Sequence, residues 1–111
     1  MEIVDILNAQ SRPESSPEYL KSIRCGKYRL SIQASEYHYC VPRKTLYNME
    51  DYSKMEFAIF NQGGWFNFRK SRVIRKFPRW EELQQYANNS IVFGYVPVEL
   101  INEFYLYLIT R

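Results

Sequence analysis

A chain of 111 residues, 46% hydrophobic and 24% charged, is long enough to bury one core without staples and too ordinary in composition to be fibrous or disordered. No stretch approaches the roughly 20 apolar residues of a membrane span, and Glu2 and Asp5 stand where a secretion signal needs positive charge. Net charge is +3, yet FRKSRVIRKFPR at 68–79 holds six basic side chains and no acid, so the remaining 99 residues sum to −3.

In chain order, Ile3, Val4, Ile6 and Leu7 are spaced for a short helix with Ile3, Ile6 and Leu7 on one face. SRPESSPE at 11–18 reads as an exposed linker, so residues 1–16 are expected to form an N-terminal helix and linker ahead of a single domain at 17–111. Ser16 is placed to cap a helical turn that starts at Pro17 and carries Tyr19, Leu20 and Ile23. In KYRLSIQAS, 27–35, Tyr28, Leu30, Ile32 and Ala34 alternate with Lys27, Arg29, Ser31, Gln33 and Ser35, which predicts a strand with one face on a core and one in water. EYHYCVPRK then leaves the sheet, because Pro42 donates nothing to a ladder and biases Val41 to extended backbone.

KMEFAIF at 54–60 and WFNFR at 65–69 are expected as the arms of a hairpin joined by Asn61, Gln62, Gly63 and Gly64. Pro78 precedes a predicted helix at 79–88, with Trp80, Leu83 and Ala87 on one side, Glu81 and Glu82 at its positive end, and Asn88 and Asn89 closing it. IVFGYV at 91–96 is a continuous apolar run, expected as a central strand in which Gly94 marks a bulge or a close approach. Pro97 opens a last helix, 97–109, with a core stripe of Leu100, Ile101, Phe104 and Leu108; Leu106 and Tyr107 point elsewhere. The sum is an α+β domain: an antiparallel sheet of about four strands with helices packed on one face.

Ten Tyr, seven Phe and two Trp give an aromatic share of 17%, expected mostly in the core. Chemistry is sparse. His38 and Cys40 lie two apart, so an extended backbone would put them on one side with Glu36 available to orient the imidazole. A nucleophile site built from such close neighbours lacks its own oxyanion donors, and His38, Cys40 and Cys25 fall short of the tetrahedral ligand set of structural zinc. Glu50 and Asp51 are adjacent and point apart, and Gly63–Gly64 lacks the Lys-Ser/Thr and helix of a phosphate loop. No catalytic residue, metal or cofactor is expected. Cys25 and Cys40 form no CxxC pair, which suits free thiols in a cytoplasmic protein.

The run from KYRLSIQAS into EYHYCVPRK, then YSKMEFAIF, then FGYVPVELI, resembles small proteins encoded by bacteriophages and prophages over roughly residues 18–105. The resemblance brings no catalytic residues; it marks His38, Tyr39, Cys40, Pro42 and Arg43 as a segment of interest. It implies a phage or mobile-element protein that works by binding a host protein or ribonucleoprotein complex, as anti-CRISPR and other anti-defence inhibitors do. On that reading Arg69, Lys70, Arg72, Arg75, Lys76 and Arg79 meet an acidic surface, with Trp65 and Phe66 as anchors. The alternative is a small accessory nucleic-acid binder using 69–79 to track phosphates.

Overall fold

The computed structural model describes residues 2–10, 12–87 and 90–111. It is an α+β fold with five antiparallel strands. They are β1 (Ile23–Cys25), β2 (Tyr28–Gln33), β3 (Lys54–Asn61), β4 (Gly64–Trp65) and β5 (Val92–Pro97). Around them lie α1 (Ile3–Gln10), α2 (Arg72–Arg75), α3 (Trp80–Gln84) and α4 (Val98–Ile109). No helix among the described residues is long and apolar enough to cross a membrane.

β3 is the centre of the sheet. β2 pairs with it on one side, and β4 and β5 pair with opposite ends of its other side. The alternation in β2 puts Tyr28, Leu30 and Ile32 on the buried face, where Leu30 opposes Ile59 and Ile32 opposes Phe57. Across β5 the same face continues as Phe93 opposite Phe57 and Val96 opposite Met55. The α4 stripe of Leu100, Ile101, Phe104 and Leu108 is fully buried, with Phe104 6.1 Å from Phe57 between ring centroids. The core takes only part of the aromatic share: Phe57 stacks on Phe93 at 4.4 Å, and Phe68, Phe77 and Trp80 close the cluster around them, while Tyr19, Tyr37, Tyr39, Tyr47, Trp65 and Tyr95 are exposed against the expectation.

Several expectations need correction. Ile23 is not helical. It begins β1, which turns at Gly26–Lys27 into β2, Gly26 taking a positive φ of 64°. Pro17 starts only a turn, closed by Tyr19 N donating to Ser16 O at 3.1 Å. Gln33 and Ser35 are buried instead of facing water, since Leu20 exchanges two hydrogen bonds with the Gln33 amide. The arm 65–69 stops at Trp65. Asn67 caps a 3-10 turn at Phe68–Lys70 that carries Phe68 into the core. β5 lies at an edge, not the centre: it pairs with β3, its apolar run is buried at Phe93 and Val96 and exposed at Tyr95, and loops meet its other side, with Gly94 N donating to Tyr86 O and Tyr95 N to Tyr39 O.

Gly94 and Tyr95 oppose a single residue of β3, which makes the expected bulge, and a Cβ at Gly94 would sit 3.2 Å from Tyr39 Cβ. α3 is shorter than 79–88, and the closing role given to Asn88 and Asn89 lies outside the described residues. Arg12 is not part of an exposed linker; it is 8% exposed.

Candidate interaction surface

The basic stretch is built on inward-facing anchors. Phe68, Ile74 and Phe77 are buried, and Ser71 caps α2 by accepting from Ile74 N at 3.3 Å while its hydroxyl meets Tyr28 Oη at 3.0 Å. With these positions fixed, helical spacing puts Arg72, Arg75 and Lys76 on one side, and the preceding 3-10 turn brings Arg69 beside them. Together with Trp80, Glu81 and Gln84 they line an open groove of about 540 Å³. A second groove of about 410 Å³ adjoins it, lined by Trp65, Phe66, Asn67, Phe68, Arg69 and Ile91. Arg69 belongs to both. Its guanidinium lies 4.6 Å from the Phe68 ring centroid and donates to Ser90 O at 2.6 Å.

Trp65 is 54% exposed and leans on Phe60, with ring centroids 4.2 Å apart. Phe66 is half-buried and stacks on Tyr28. Lys70 is exposed on the same stretch but lines neither groove.

Arg79 is set apart from the other five basic residues. It donates to Glu82 and Glu99 and lies 3.1 Å from Glu103 Oε1, so its guanidinium is held charged between three carboxylates. The hydrogen bonds from Arg79 in turn hold the Glu99 carboxyl below its usual range. Every ion pair among the described residues belongs to Arg79. The groove cations therefore stand without a carboxylate at ion-pair distance. The Arg79–Glu82 spacing was readable from the chain, but Glu99 and Glu103 arrive from α4 through tertiary packing. The same holds for Ile91, Trp80 and Gln84, which complete the grooves without any local signal.

The His38 segment is a tight turn instead of extended backbone, with Cys40 N donating to His38 O at 3.0 Å. Its chemistry converges on Ser35, not Glu36. Ser35 Oγ is 2.6 Å from His38 Nδ1, and Cys40 Sγ is 3.2 Å from the Ser35 carbonyl, to which it donates. Glu36 is exposed, and its backbone carbonyl accepts from Arg43 Nε. Burial lowers the His38 pKa and raises that of Cys40. Both shifts favour the uncharged forms, opposite to the thiolate and imidazolium of an activated couple. Tyr39 is exposed, with Arg43 5.6 Å from its ring centroid.

Cys25 and Cys40 are both free thiols. Among the described residues no three His, Cys, Asp or Glu side chains gather as a metal site. No protein-family model, curated protein or solved structure matches the chain.

Proposed function

We propose that this chain is a non-enzymatic interaction protein whose double groove binds an acidic element of a partner protein. The observation that carries the reading is the junction at Arg69, where an unpaired basic groove runs into a groove with an exposed tryptophan. A few aromatic and arginine side chains dominate the energy of most protein interfaces, and this face supplies both side by side. Trp65 and Ile91 offer the anchor, while Arg69, Arg72, Arg75 and Lys76 offer the charge that orients the partner.

A nucleic-acid reading shares the four cations, but the surroundings favour protein. Glu81 lines the basic groove itself, and Glu82, Glu99 and Glu103 surround Arg79 nearby. Those carboxylates repel any anion, but they bound the cationic strip, which limits an extended phosphate backbone more than a compact acidic patch. In the setting implied by the phage resemblance, the partner is a cytoplasmic host protein complex and the effect is occlusion, as with anti-defence inhibitors. The test is capture from a nuclease-treated bacterial lysate by the tagged protein. The expected result is one stoichiometric protein, lost for the R72E/R75E/K76E variant whose circular dichroism is unchanged. Recovery of nucleic acid alone, without nuclease, would overturn the reading.

A further inference from the structure

Another pocket, of about 500 Å³, shares no lining residue with the basic groove and is lined by acidic instead of basic side chains. Its walls are Tyr19, Tyr37 and Tyr47, with Pro17, Glu18, Glu36 and Thr45 around them. Tyr37 and Tyr47 are 67% and 70% exposed, unusually open for rings that contribute nothing to the core. Among the described residues the charged groups in the lining are two carboxylates, and neither is in an ion pair.

Three distant segments make this pocket, and one buried side chain joins them. Arg12 donates to Pro17 O at 2.9 Å, Ala34 O at 2.6 Å and Leu46 O at 2.8 Å. Each of these carbonyls lies within two residues of a pocket residue. Thr45 Oγ1 accepts from Glu36 N at 3.3 Å, and the Tyr19 ring meets the edge of buried His38 at 5.5 Å. The pocket is therefore held from beneath and does not depend on a ligand to form. The Arg12 guanidinium at its floor keeps its full charge and lies 5.8 Å from the Tyr47 ring centroid, so it offsets one of the two carboxylates and leaves the pocket with a net negative charge, with Tyr19 and Tyr37 as the rings it does not face.

Electron-rich ring faces beside unpaired carboxylates suit a cation, because both the ring quadrupole and the carboxylate charge attract it. We propose that this pocket receives a lysine or arginine side chain from a partner protein. It is a recognition site separate from the basic groove and does not rest on it.

The experiment is a titration of isotope-labelled protein with tetralysine, using fully acetylated tetralysine as the neutral control. Tetralysine is expected to shift the amides of Tyr19, Glu36, Tyr37, Thr45 and Tyr47, and the acetylated peptide is not. Two variants, Y37L and E18Q/E36Q, are each expected to weaken binding about tenfold, and both spare Tyr19 with its contact to His38 and Tyr47 with its contact to Arg12. Shifts confined to Glu82, Glu99 and Glu103, or equal binding of the acetylated peptide, would overturn the proposal. So would shifts of the pocket amides with protein concentration alone, lost in E18Q/E36Q, because the occupant would then be the basic stretch of a second copy.

Discussion

Arg12 shows how much one side chain can organise. Its guanidinium is buried without a carboxylate, yet it reaches Leu46 O, Pro17 O, Ala34 O and Tyr52 Oη. Tyr52 Oη in turn accepts from Leu46 N at 2.8 Å and donates to Lys44 O. The planar fork of arginine meets several carbonyls at once, which the single head of lysine cannot copy. Removing it leaves buried carbonyls unpaired, each a cost of its own. R12A is expected to lower the unfolding free energy by about 3 kcal/mol, with R12K intermediate, as read from urea denaturation. A loss below about 1 kcal/mol would show that water replaces the fork. In the chain Arg12 stands among Ser, Pro and Glu, which read as linker, and nothing local reveals three carbonyl partners up to 34 residues away.

At the scale of elements, the legible ones carry their pattern alone. The alternation of 28–32 and the stripe of α4 each specify a buried face without help, and both stand where the pattern puts them, the alternation failing at Gln33. β1 is three residues long, too short to show a period, and exists because β2 offers it an edge. The basic stretch is a similar case. Its composition was plain, but whether it lies loose or folded depends on Phe68, Ile74 and Phe77 finding a core. α2 has only four residues, so its cap matters in proportion. S71A, which removes the acceptor for Ile74 N and the partner of Tyr28, is expected to cost about 1 kcal/mol and to speed amide exchange across 72–76. Unchanged exchange there would mean that the buried anchors alone hold the groove.

For the molecule as a whole, the buried titratable groups set a window of stability. Burial pushes the Cys25 thiol up to about 11, and also raises Cys40, Tyr52 and Tyr105. Unfolded thiols lose protons at lower pH, so above about pH 9 the unfolded chain holds fewer protons and stability falls as pH rises. Burial lowers His38. Below about pH 6.5 the unfolded imidazole gains a proton that the folded one resists, so stability falls again as pH drops. Urea midpoints are expected to be flat between these limits and to decline on both sides. A maximum near pH 5 or pH 10 would contradict the burial of these groups. The same whole-molecule view divides the proposed basic interaction face. The six basic residues share one short stretch of sequence, but tertiary structure gives four of them to a groove and locks Arg79 among carboxylates. That division is the central claim, and affinity for the captured partner by calorimetry tests it directly. W65A and R72E/R75E are each expected to weaken binding at least about 30-fold, and R79Q to leave it within about twofold. Equal damage from R79Q, or no effect of W65A, would contradict it.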